Sequence, residues 1–132
     1  MIFLSKTSSE PYEIIGENNP LVMINNISTL DPYDLVNEVE QDIYLVVKDG
    51  FSYNDVKVVV ENEYFTGASV YISETTAGGD PIEYKKSLSL GNLSASGGDL
   101  VIRLKVKFSL INNPEFLKVV EFPANINIYA ET

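Results

Sequence analysis

A chain of 132 residues is one domain's worth of sequence, enough to bury roughly two-thirds of its unfolded surface around a single core. Nine basic against nineteen acidic residues leave a formal charge of −10, which repels polyanions and argues against nucleic acid as a partner. With no cysteine and no histidine, there can be no disulfide, thiolate nucleophile, Ser-His-Asp or Cys-His catalytic set, or Cys- or His-ligated metal.

Residues 1–19 mix short apolar pieces with Ser, Glu, Pro and Gly and run into the turn cluster Gly16-Glu17-Asn18-Asn19-Pro20. They read as an N-terminal arm or a short edge strand. The apolar run Ile2-Phe3-Leu4 is too short for the core of a signal peptide, and no stretch approaches ~18 apolar residues. The expectation is therefore a complete chain, made in the cytoplasm without a leader or a membrane span. Leu21 to Ile27 is compatible with a strand. Asp31 as N-cap and Pro32 at the first helical position could open a helical turn that puts Leu35, Val36 and Val39 on one face, and a loop is the alternative.

Further on the pattern is regular. Ile43, Leu45 and Val47 alternate with their neighbours, Asp49-Gly50 marks a turn, and Val56, Val58 and Val60 alternate again, which predicts two adjacent antiparallel strands. Ser69 to Ser73 is another strand, Ala77 to Pro81 a loop, and Ile82 to Leu90 a further strand or strand pair. Gly91-Asn92 and Gly97-Gly98-Asp99 then break the chain. In the run that follows, Leu100, Ile102, Leu104, Val106 and Phe108 share one face and Val101, Arg103, Lys105 and Lys107 the other. Phe116 to Val120 and Asn125 to Tyr129 close the chain, with Pro123 restricting the stretch between them to an edge or a bend. Seven to nine short strands without a long helix predict an all-β fold, an antiparallel β-sandwich formed by residues 1–132 as a single unit, with the possible arm at 1–19.

The chemistry left to such a chain is that of carboxylates, Lys, Tyr and Ser. A paired-carboxylate glycosidase would be the most plausible enzyme, but a small sandwich offers little room for a cleft, and the expectation is a protein that is not an enzyme. Asp31 with Asp34, or Asp80 with Glu83, could offer oxygen ligands to calcium. Neither pair sits in a dense Asp-x-Asp-x-Asp-Gly loop, so solvated turns are expected, with no metal and no cofactor. Tyr12, Tyr33, Tyr53, Tyr64 and Tyr129 could stack on sugars, although strand tyrosines more often pack across strands. The sequons at Asn26-Ile27-Ser28 and Asn92-Leu93-Ser94 read as coincidence, and Gly97-Gly98 leads into a strand where a phosphate loop would lead into a helix. Arg103, Lys105 and Lys107 hold three of the nine positive charges on one strand face. They are either a solvated stripe paired with acidic neighbours such as Glu61 and Glu63, or a docking stripe for an acidic partner or a neighbouring copy.

The run Leu88-Ser89-Leu90-Gly91-Asn92-Leu93-Ser94-Ala95-Ser96-Gly97-Gly98, followed by an alternating strand, resembles a step that recurs in Ig-like β-sandwich proteins of tailed-bacteriophage particles. Asp49-Gly50-Phe51-Ser52-Tyr53-Asn54-Asp55-Val56-Lys57-Val58 is similar to the hairpin of the same modules, and the two matches together span about residues 43–108. The resemblance implies an Ig-like sandwich in which Leu90 and Leu93 cap the core and Gly91 bends the chain between sheets. It also implies a virion structural component, a capsid decoration or neck or tail protein, made in the host cytoplasm and contacting other virion proteins and copies of itself, without membrane or nucleic acid. Such contacts would be sought at Ile2, Phe3, Leu4 and Tyr12 of the arm, unless those residues form the domain's own edge strand. The competing expectation is an Ig-like binding module for a cell-surface glycan or protein, which an exposed tyrosine cluster at one end of the sandwich would favour.

Overall fold

Alternating apolar runs become strands because period two puts every second side chain on one face of a pleated ribbon. The computed structural model describes residues 1–26, 36–61, 68–111 and 119–132. Among these it holds nine strands and no helix: β1 (Ile2–Ser5), β2 (Leu21–Asn26), β3 (Val36–Val47), β4 (Ser52–Val60), β5 (Ala68–Glu74), β6 (Ser87–Ser94), β7 (Leu100–Ile111), β8 (Val119–Ala124) and β9 (Ile126–Glu131). Their pairing is antiparallel, in one sheet of order β1-β3-β7-β5, a second of order β6-β4-β9, and a two-stranded ribbon β2-β8. The fold is an antiparallel β-sandwich.

Between the sheets, Leu104, Val106 and Phe108 of β7 and Ile43 and Leu45 of β3 are fully buried, as are Val56 and Val58 of β4. They join Leu4, Leu21, Leu88 and Ala124 in one cluster, against which Ile126 and Ile128 of β9 are half-buried, so every strand contributes to the same core. Each such aliphatic side chain withdrawn from water is worth about 1.5–3 kcal/mol. The face of β7 read as apolar from the sequence is the face that builds this core.

Three expectations are corrected. The strands on either side of Asp49-Gly50 are not a hairpin pair, since β3 bonds to β1 and β7 while β4 bonds to β6 and β9. The turn, in which Phe51 N–H reaches the Lys48 carbonyl and Gly50 has φ +89°, carries the chain from one sheet to the other. The Ala95 backbone then bonds both Gly50 and Phe51. Ile82 to Leu90 is neither one strand nor a strand pair. Lys85 exchanges both backbone bonds with Ile72 of β5, and the next residue, Lys86, accepts from Val60 of β4, so the chain passes between sheets there and β6 begins only at Ser87. Gly91, φ +72°, marks a bulge opposite Val56 within β6 and does not bend the chain between sheets. The candidate helical turn at Asp31-Pro32 lies outside the described residues.

The opposite side of the sandwich is not closed in this way. The β2-β8 ribbon ends at the pair Leu21 and Ala124, beyond which its two strands separate. Residues 13–15 join the first sheet beside β1, and β9 joins the second beside β4. No helix among the described residues is long and apolar enough to cross a membrane.

Candidate functional site

Of the residues expected to make contacts, Ile2, Phe3 and Leu4 form β1, the domain's own edge strand, in register with Val47, Val46 and Leu45 of β3. Phe3 and Leu4 are buried, Leu4 in the central cluster and Phe3 outside it. Tyr12 closes over Phe3 edge to face, with ring centroids 5.3 Å apart. Its hydroxyl donates to Asp99 Oδ2 at 2.8 Å, the same oxygen that Lys48 Nζ reaches at 3.0 Å, while Asp49 N–H donates to Oδ1 at 2.9 Å. Lys48 also bonds Glu10 at 2.7 Å. The Asp49 N–H, then Lys48 and Tyr12, hold the Asp99 carboxyl below the usual carboxylate range, and Glu10 and Asp99 raise the Lys48 ammonium. The Asp99 hydrogen bond raises the Tyr12 phenol. Residues 10–12 are thereby fastened to two loops of the body, and the N-terminal segment is folded back on its own domain.

Arg103, Lys105 and Lys107 stand together on the outer face of β7, but their partners differ from those expected. Arg103 bonds Asp42 at 2.6 Å, Lys105 lies 3.5 Å from the same carboxylate, and Lys107 lies 3.8 Å from Glu38. Partial burial works to raise Asp42, and Arg103 and Lys105 outweigh it, leaving its pKa below the ordinary value. Glu61 sits on the other sheet, where Tyr129 Oη and Asn127 Nδ2 donate to it. Glu63 lies outside the described residues. The reason is topological: β3 is the neighbour of β7, so acidic residues at Glu38 and Asp42 fall near the cations. Lys107 also lies over the rings of Tyr84 at 4.6 Å and Tyr71 at 5.3 Å, and Lys86 over Tyr71 at 4.2 Å. Burial, then the carboxylates of Glu40, Asp42 and Glu38, raise the Tyr84 phenol. The charges on this face are paired, while Tyr84 Oη and Asp42 Oδ1 are buried without a hydrogen-bond partner. Gly79 belongs to this face: a Cβ there would stand 2.3 Å from the Arg103 guanidinium.

The outermost strands of the two sheets are treated differently. The outer edge of β1 is covered, with Ile15 N–H donating to Leu4 C=O at 2.8 Å and Lys6 N–H to Glu13 C=O at 2.9 Å. The edge of β5 is covered by Ile82 and Lys85, and β6 is interrupted by its bulge at Gly91. Among the described residues β9, like β6, has no strand on its outer side, and its register with β4 runs unbroken from Ile126 to Tyr129 and shifts before Glu131. Because Glu61 N–H donates to Asn125 C=O, the odd-numbered residues of β9 bond β4. The N–H and C=O groups of Ile126, Ile128 and Ala130 then point away from the sheet, where no strand among the described residues meets them.

Beside this edge, in the fork where β2 and β8 separate, lies a groove of about 590 Å³ lined by Ile15, Gly16, Glu17, Pro20 and Pro123 to Asn127. Ile15 and Ile126 are half-buried on its two walls. The combination of free backbone groups and an apolar trough can bind an extended chain. Sequence reasoning missed it: INIYAE reads like any closing strand, and the one available signal was the absence of Pro, Lys and Arg from an end strand.

Of the two calcium candidates, Asp31 and Asp34 lie outside the described residues. Asp80 closes a turn in which its carbonyl accepts from Thr76 N–H, and Glu83 lies 3.6 Å from Lys85. Among the described residues, no three acidic side chains converge as a metal site requires. Tyr129 is exposed, whereas Tyr12, Tyr44, Tyr53, Tyr71 and Tyr84 are half-buried, and Tyr33 and Tyr64 lie outside the described residues. Comparison with protein-family models and with curated proteins returns no match for this chain.

Proposed function

We propose that this chain is a non-enzymatic structural component of tailed-bacteriophage particles, a capsid decoration or neck or tail protein of Ig-like build that works through protein–protein contacts. The particle assignment is supported by the resemblance carried by Asp49 to Val58 and Leu88 to Gly98. The contact role is supported by one structural observation: the β9 edge stands open beside an apolar groove, while the edges of β1 and β5 are covered. A sheet edge kept open against the hazard of nonspecific pairing is a binding device.

The glycan-binding alternative gains less, because Tyr129 is exposed without a second exposed tyrosine among the described residues. Mass spectrometry of particles banded from a lysate of the source host tests the proposal. Chain that stays with the particle band through a high-salt wash is the expected result, and chain confined to the soluble fraction overturns it.

A further inference from the structure

Resting on the reading of the chain as a contact protein, we infer that β9 takes up an added strand from a different protein, an extended segment alternating apolar with basic residues. The backbone groups of Ile126, Ile128 and Ala130 recur every second residue, the spacing at which an extended chain presents its own. A strand laid along them turns alternate side chains into the groove, where Ile15, Pro20, Pro123 and Ile126 are apolar, and the remainder onto the outer face. On that outer face stand Glu61, bonded to Tyr129 and Asn127, and Glu131 at the far end of β9, with Lys57 opposite Tyr129 in register. The charged side chain lining the groove is Glu17. Basic residues on the outer side of the incoming strand meet these carboxylates. A second copy of this chain would bring another charge of −10 to the same place, so the complementary occupant is a cationic segment of another protein.

The test uses the full chain and a nine-residue peptide alternating Val and Lys, with a Val/Glu peptide and a backbone N-methylated Val/Lys peptide as controls. The Val/Lys peptide is expected to bind and to slow hydrogen exchange of the Ile126, Ile128 and Ala130 amides at least tenfold. The N-methylated and Val/Glu peptides should bind at least about tenfold more weakly, since each loses edge bonds or charge pairing. Ala130→Pro, which removes one outward N–H, should weaken the Val/Lys peptide by a similar factor. No binding at millimolar peptide overturns the inference, as do equal binding of the N-methylated form and binding without protection of the three amides. A dimer of the free chain that protects the same amides overturns the assignment of the partner in favour of a second copy. Peptide binding by a chain that is missing from particles would sink the virion reading and leave this inference standing; the reverse pair of results would do the opposite.

Discussion

The strands β1 and β9 are both short, terminal and on the same side of the sandwich, yet one is sealed and the other is not. β1 puts Phe3 and Leu4 out of water, and its outer edge is bonded by Ile15, while Tyr12, Lys48 and Asp99 hold the connecting segment down. β9 contributes only half-buried Ile126 and Ile128 to the core, and no strand among the described residues meets its outer backbone groups. The difference teaches that an apolar N-terminal run is not by itself an arm for a neighbour. What decides is whether the chain returns to cover the edge it has made.

The largest expected effect comes from deleting residues 1–15. Removal of β1 takes Leu4 and Phe3 from the structure, and two buried side chains at about 2–5 kcal/mol each are a large part of a domain's usual stability of about 5–15 kcal/mol. The truncated chain should be unfolded by circular dichroism and light scattering. A folded monomer would mean that β1 is dispensable and would break the contrast with β9.

A sharper version compares two substitutions by urea denaturation. Leu4→Ala, at a residue 4% exposed, should cost about 2–5 kcal/mol, whereas Ile128→Ala at the half-buried edge should cost nearer 1 kcal/mol. Equal losses would show that β9 is held as firmly as β1.

Acid should loosen the fastening of the β1 side. Asp99 has a folded pKa below its unfolded value of about 3.9, so the unfolded chain takes up its proton first as pH falls. The stability it lends is present above that unfolded value and disappears as pH drops through the folded one. Asp99→Asn should lower stability at pH 7 and flatten the fall below about pH 4, and an unchanged acid limb would remove Asp99 from the fastening.

The smallest effect is expected for Ala130→Pro. Its N–H faces outward and bonds no strand among the described residues, so thermal unfolding should change by no more than about 0.5 kcal/mol despite the loss of a donor. A larger loss would show that this N–H is already engaged.

Much of the architecture was legible in the chain. The alternation from Leu100 to Phe108 identified β7 and its buried face, because period two is local and needs no partner to be read. Asp49-Gly50 was legible as a turn, but whether it joins neighbours in one sheet or opposite sheets depends on what β3 and β4 bond elsewhere. The Arg103, Lys105 and Lys107 stripe was likewise visible, and its partners Asp42 and Glu38 were not, since register across strands is a nonlocal property.

By itself, then, the sequence determined the all-β class, the core face of its clearest strand and the absence of histidine and cysteine chemistry, all of which follow from residue type and spacing along the chain. Tertiary structure alone decided which edges were covered. Among the described residues, residues 13–15 fold back to cover β1 while β9 is left without a neighbour on its far side, because pairing of backbone groups is settled by what lies about 5 Å away in space and not by what comes next in sequence.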